Sequence, residues 1–266
     1  LEDMGYAVSP RRRLMAAIAS AAVAILALGL WVPRADLPVL DHAMAFSVFA
    51  IPVTILFAGC FCHALNLIDG MNGLASLTIC TAATGLMSIS GAVELVEIAA
   101  MSALLAAGAA GFIFFNWPRG RIFLGDAGAY TLGHILVWLA ASIAALAPEV
   151  SIPARLLVLF WPIADVLHTV IRRAMNNLPI FYPDRMHLHQ KIRRSLEIAV
   201  LGRHRKAVSN PVTTLLMAPF IITPVVTGVL LYDRKGPAWI AFAVFLALFA
   251  GTNLLIIHLA RKRRKL

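Results

Sequence analysis

The sequence predicts an all-α, polytopic, membrane-embedded helical bundle, and three observations lead there. Hydrophobic residues make up 61 % of the 266 and charged residues only 14 %, where soluble domains run nearer about 45–50 % and about 25 %; mean hydropathy is +0.84. The apolar residues fall into runs of roughly 20, the length a helix needs to cross a hydrocarbon layer about 30 Å thick. The basic residues gather on alternate connectors, the pattern of a chain threaded repeatedly through a bilayer. A water-solvated core is excluded, and lipid is the solvent for most of the surface.

Eight spans follow in order, near 14–33, 44–65, 73–92, 98–116, 128–147, 154–171, 212–232 and 238–259. Each is an apolar run closed off by polar residues. Arg11–Arg13 precede the first, and Arg34, Asp36 and Asp41 separate it from the second. The run Asn66–Gly73 ends the second, Glu94 and Glu97 divide the third from the fourth, and Arg119 and Arg121 divide the fourth from the fifth. Glu149 and Arg155 lie between the fifth and sixth, a basic loop over 173–210 follows the sixth, Asp233–Lys235 follow the seventh, and Arg261–Lys265 follow the eighth. No repeat, low-complexity tract or inserted soluble domain interrupts them, so residues 1–266 form one integral membrane unit. The first residue is Leu1 rather than Met, directly before an acidic pair, and we expect further helices to precede it. Cys60, Cys62 and Cys80 fall inside apolar runs without zinc or redox spacing, and read as small buried hydrophobes.

Nineteen of the 23 basic residues lie on one side of this topology, including nine between Arg172 and Lys206. The other side holds Arg34, Arg155, Arg234 and Lys235 together with Asp36, Asp41, Glu94, Glu97, Glu149 and Asp233. The asymmetry puts the first side, and the C-terminus with it, in the cytosol. The formal charge of +10 is thus a topology signal and a contact with anionic lipid. It is not a nucleic-acid footprint, because the basic loops carry no nucleic-acid-binding fold.

Four polar stations lie on that basic side. The first is Glu2-Asp3, followed by Arg11–Arg13. In the second, Asn66, Asp69 and Asn72 recur every three residues, which a helical turn would put on nearly one face; Gly70 and Gly73 let the backbone turn. In the third, Gly125 and Gly128 flank Asp126. Asp126 could N-cap the next span, or reach a phosphate or a hard cation such as Mg²⁺, which takes one or two carboxylates plus substrate phosphates. In the fourth, Arg185, His187 and His189 point the same way if the chain is extended after Pro183, an array suited to a diphosphate. Beyond it Leu188, Ile192, Leu196, Ala199 and Val200 keep helical spacing opposite Lys191, Arg193 and Arg194, an amphipathic helix on the membrane surface. A carboxylate-bound metal, cationic and imidazole groups and a membrane boundary together suggest phosphoryl chemistry between a soluble donor and a lipid acceptor. The competing reading is a transporter built on the intramembrane residues Asp165 and His168, but no pair of broken helices suggests an inverted repeat.

The segments NLIDGMNGLA (66–75), FLGDAGAYTLG (123–133) and PDRMHLHQKI (183–192) resemble the polyprenyl-phosphate N-acetylhexosamine-1-phosphate transferases, the superfamily that includes the phospho-MurNAc-pentapeptide translocase. The resemblance runs over essentially the whole chain, with the motifs in family order. It implies a fold of ten or eleven helices, with about three before the acidic pair. It also implies transfer of a sugar 1-phosphate from a UDP-N-acetylhexosamine to undecaprenyl phosphate, with release of UMP and a requirement for Mg²⁺, for which Mn²⁺ can substitute. By that resemblance Asp126 is the metal ligand, and Asp3 with Glu2 handles the acceptor phosphate. Asn66, Asp69, Asn72 and Gly125 line the diphosphate and nucleotide site, Phe123 contacts the uracil, and Arg185, His187 and His189 contact the donor. It implies a multi-pass protein of the bacterial inner membrane; a homodimer is one assembly open to it, and the sequence leaves the oligomeric state undecided. Three positions depart from the common pattern: Glu2 stands for Asp, Asn72 for a second Asp, and Gln190 for a third histidine. These point away from the peptidoglycan translocase and toward O-antigen, enterobacterial-antigen or exopolysaccharide initiation.

Overall fold

The computed structural model describes residues 9–179, 186–202 and 205–263, the side chains of Pro10 and of residues 260–263 aside. The regular elements there are all helices: α1 (Pro10–Leu28), α2 (Pro38–Met44), α3 (Ser47–Ile68), α4 (Leu74–Ala92), α5 (Val96–Asn116), α6 (Gly125–Leu146), α7 (Ile152–Val158), α8 (Phe160–Met175), α9 (Leu188–Leu196, continued by a π-helical turn over Glu197–Leu201), α10 (Lys206–Leu230) and α11 (Lys235–Arg263). Among the described residues α3, α4, α5, α6, α10 and α11 are each long and apolar enough to cross a membrane. The protein is a multi-pass membrane protein.

The other two expected spans are α1 and the pair α7–α8. Three arginines open α1, so its charge, not its length, sets it apart from the six. The expected span over 154–171 is broken: α7 and α8 meet at 89°. Leu159 leaves the helical conformation at the junction (φ −97°, ψ 14°). Pro162 follows within the first turn of α8; it has no N–H to return to the carbonyl four residues back, and its ring crowds that carbonyl. The bend carries Asp165 away from the line of α7.

Packing decides which helices face inward. Leu65, Ile68, Leu74, Ile79, Leu86, Leu136, Ile143 and Leu157 are fully buried where α3, α4, α6 and α7 meet. On α5 and α11, Leu104, Phe114 and Leu254 point outward, as lipid allows. Between helices in lipid, small residues permit the close approach that dispersion needs. A Cβ on Gly59 would lie 2.8 Å from Ile18 of α1, and one on Gly228 would lie 2.5 Å from the Ala154 carbonyl of α7. Of the cysteines Cys62 is buried, but Cys60 is exposed and Cys80 half-buried, so burial holds for one of the three.

Hydrogen bonds define two ends. At one, the side chain of Asp36 accepts from Arg34 Nε (2.8 Å), Lys235 Nζ (3.1 Å) and the Ile152 N–H (2.7 Å), drawing together the ends of α1, α7 and α11. At the other, α1 begins, α3 and α5 end, and α6 and α10 begin; the second and third sequence motifs lie here. The basic helix α9 packs at this end too, but not as a surface amphipath. Leu188, His189 and Lys191 are buried, and the Lys191 ammonium donates to Asn253 Oδ1 of α11 at 2.7 Å. Lys191 therefore sits inside the bundle rather than on the polar face, because Asn253 offers it an acceptor there.

Candidate active site

The motif at the end of α3 does not continue as helix. Asn66 occupies its last turn, Asp69 follows as its C-cap, and Asn72 lies in the turn that links to α4. Gly73 takes φ +81°, and a Cβ there would lie 2.9 Å from Trp117; glycine alone meets both demands. The turn is knitted to the α5–α6 loop. Asn116 accepts from the Gly73 N–H (2.5 Å) and donates to the Ile122 carbonyl (2.6 Å), while the Asn72 carboxamide donates to the Pro118 carbonyl (2.7 Å). From α10, Asn210 Oδ1 accepts the Asn72 N–H at 2.8 Å and Thr214 Oγ1 donates to the Asn72 carbonyl at 2.6 Å. Asn72 thus spends its side chain on the loop. Neither Asn116 nor Asn210 stood out in the sequence, although each directly precedes a turn or a proline.

On this frame the second and third motifs meet. Asp69 Oδ2 accepts the Gly125 N–H at 3.0 Å, and Asn66 Nδ2 donates to Asp126 Oδ1 at 2.8 Å. Asp126 belongs to the first turn of α6 and is not its N-cap, which is Leu124. The Asp126 carboxylate also accepts from Arg13 of α1, at 3.1 Å to Oδ2 and 3.4 Å to Oδ1. Sequence reasoning noted the arginine run and gave Arg13 no partner. One helical turn deeper, His63 Nδ1 and the Tyr130 hydroxyl lie 2.6 Å apart, also unforeseen. Phe123 stands on the loop about half exposed, open to a planar ligand. Half-open carboxylate oxygens, a carboxamide and a guanidinium at one boundary suit an anionic ligand and a hard cation. Asp3, Glu2 and Arg185 lie outside the described residues.

The histidines gather around a different carboxylate. His187 Nδ1 is 2.6 Å from Asp165 Oδ2 of α8, and the Leu188 N–H reaches Asp165 Oδ1 at 3.4 Å. Asp165 is 2 % and His187 3 % exposed. Asp165 is therefore spoken for, and His168, its expected companion in a transporter, packs against Phe249 instead. His189 opens α9 and its ring lies parallel to that of His187, centroids 5.6 Å apart. Burial, only partly offset by the Asp165 carboxylate, pushes His189 down to about 4, so its ring is neutral at pH 7. Its Nδ1, like Gln190 Oε1, is buried without a hydrogen-bond partner among the described residues. Farther on, Glu197 accepts from Ser209 (2.6 Å) and Arg193 (3.0 Å). The Ser209 hydroxyl first, then Arg193, hold its carboxyl below the usual range, and the contact ties α9 to the start of α10.

A model of glycosyl transferase family 4 matches residues 1–144, more than half of the chain and both motifs at Asp69 and Asp126. The chain belongs to this family. Its curated relatives include a protein named probable undecaprenyl-phosphate N-acetylglucosaminyl 1-phosphate transferase from Bacillus subtilis, 32 % identical over 174 residues, 64 % of this chain and 48 % of the relative. A decaprenyl-phosphate N-acetylglucosaminephosphotransferase of Mycobacterium tuberculosis is 27 % identical over 193 residues, 64 % of this chain and 45 % of the relative. An undecaprenyl-phosphate alpha-N-acetylglucosaminyl 1-phosphate transferase of Yersinia pestis is 23 % identical over 211 residues, 77 % and 55 %. The chain spans about half the length of these relatives.

Proposed function

We propose that the protein transfers an N-acetylhexosamine 1-phosphate from a UDP-sugar to undecaprenyl phosphate, releasing UMP, as an early membrane step in building a cell-envelope glycan such as O-antigen or exopolysaccharide. UDP-N-acetylglucosamine is the first donor to test, since the relatives carry N-acetylglucosamine in their names. The observation that carries the reading is the meeting of Arg13, Asn66, Asp69, Gly125 and Asp126 at one helix boundary, in a chain of this family. The charge asymmetry supports a bacterial inner membrane with this end in the cytosol, where a nucleotide sugar is available.

In the proposed reaction an oxygen of the lipid phosphate attacks the sugar-side β-phosphorus of the donor. A P–O bond forms there as the bond from that phosphorus to the bridging oxygen breaks, and the oxygen leaves on UMP. Arg13 and Asn66 orient the anionic groups, Phe123 packs against the uracil, and Asp69 keeps the Asp126 turn in register through the Gly125 N–H. Asp3, with Glu2, faces the acceptor phosphate in this reading, and Arg185 with the His187–His189 pair the donor; the buried, unpartnered His189 Nδ1 supports a polar ligand near that pair. The donor chemistry around Asp126 suits a divalent cation, because its carboxylate offers the hard oxygen ligands that such an ion takes alongside water and phosphate. Mg²⁺, or Mn²⁺ in its place, held on Asp126 would neutralise charge on the diphosphate and leaving group.

The test is UMP release by the protein in detergent with undecaprenyl phosphate, Mg²⁺ and a panel of UDP-N-acetylhexosamines. Release with one donor, abolished by EDTA and reduced at least ~10³-fold in a folded Asp126→Asn variant, is the expected result. Near-wild-type turnover by that variant would refute the assignment of Asp126.

A further inference from the structure

Of the three arginines that open α1, Arg11 and Arg12 are exposed, whereas Arg13 turns inward. One of its terminal nitrogens lies against both oxygens of Asp126, at 3.1 and 3.4 Å. Oδ1 takes a further N–H from Asn66. The two charged side chains keep 22 % and 26 % of their surface, so the pair is neither solvated nor sealed. A half-buried carboxylate at a membrane boundary is costly without a counter-charge. Here a guanidinium supplies it, and it does so through the very lone pairs that a divalent ion would need. A divalent ion and a guanidinium on one carboxylate repel each other, so the two occupancies compete.

We propose that Arg13 is the resident counter-cation of Asp126: it holds the carboxylate aimed while the site lacks its divalent ion, and must leave when that ion binds. Arg13 thereby sets the affinity of the site for the ion. The inference rests on reading Asp126 as the cation ligand. The exchange needs no movement of helices. Arg13 sits in the first turn of α1 on a long, flexible side chain, while five residues on Ile18 is held against α3 at Gly59. The displaced guanidinium stays at the boundary where the anionic substrate arrives, and its fork matches phosphate oxygens better than an ammonium would.

Titration of the purified protein in detergent with Mn²⁺, followed by the loss of the free-ion EPR signal and without nucleotide or lipid, tests this apart from turnover. The expected result is Mn²⁺ binding at least ten times tighter in Arg13→Ala and Arg13→Gln than in the wild type, and lost from each on adding Asp126→Asn. A purely structural Arg13 would leave the affinity unchanged or weaken it when removed, and either result overturns the proposal. Arg13→Gln keeps most of the side chain's length and serves if Arg13→Ala does not fold, as judged by circular dichroism and melting. Mn²⁺ binding that survives Asp126→Asn alone refutes the cation reading of Asp126 and the inference with it. Binding lost in Asp126→Asn but unaltered in Arg13→Ala refutes the inference and leaves that reading standing. No binding in any variant refutes both.

Discussion

Replacing Asp165 with alanine is expected to unfasten the histidine segment from α8. The wild-type carboxylate is almost fully buried, accepts from His187 Nδ1 at 2.6 Å and takes the Leu188 N–H at 3.4 Å. Deleting one partner of a buried hydrogen bond to a carboxylate costs about 1–3 kcal/mol, because the other is left desolvated and unpaired. Replacing both removes most of that penalty. A double-mutant cycle with Asp165→Ala, His187→Ala and the double variant should therefore give a coupling energy of about 1–3 kcal/mol, with the double variant no less stable than Asp165→Ala alone. Reversible unfolding in mixed detergent micelles, followed by circular dichroism at pH 7, reads the difference. Additive effects of the two substitutions, within about 0.5 kcal/mol, would refute the claim that this contact anchors the segment.

Three further outcomes follow from other contacts. His189 is held near 4 by burial, below its unfolded value of about 6.5. The unfolded chain therefore binds more protons between those values, and stability rises with pH across that window. Acidifying from pH 6.5 to 4 should cost about 3 kcal/mol, and His189→Gln should flatten that slope in pH-dependent melts. At the opposite end, Asp36→Ala leaves Arg34, Lys235 and the Ile152 N–H without their shared acceptor; a loss of about 3 kcal/mol in the same unfolding assay is expected, with UMP release at permissive temperature retained. Gly228→Ala puts a methyl 2.5 Å from the Ala154 carbonyl, and should destabilise by about 1–3 kcal/mol, whereas Gly111→Ala, with nothing within 4 Å of the new Cβ, should not.

The eight expected spans each match a helix or helix pair because the signal is strong: a bilayer demands long unbroken apolar runs, and few other constraints produce them. The same economy fails at the sixth span, where Pro162 sits in an apolar stretch that reads as continuous. The bent pair meets α10 and α11 mainly through α7, a tertiary contact that no local signal foretells. The neighbourhood of Asp69 and Asp126 was legible from glycine and carboxylate spacing. Their actual contacts were not, since Asn66–Asp126 spans 60 residues and Arg13–Asp126 spans 113.

What the sequence determined by itself is everything that depends on local composition: an all-α membrane bundle, its alternating charged connectors, and three motifs whose polar residues are too costly to place in lipid without a purpose. What the tertiary structure decided is which of those polar groups neutralises which. Arg13 rather than a neighbour meets Asp126, Lys191 turns inward to Asn253, and His187 settles on Asp165 with His189 stacked beside it. The reason is that a buried charge selects its partner by geometry across helices, and one-dimensional spacing carries no record of which helix faces which.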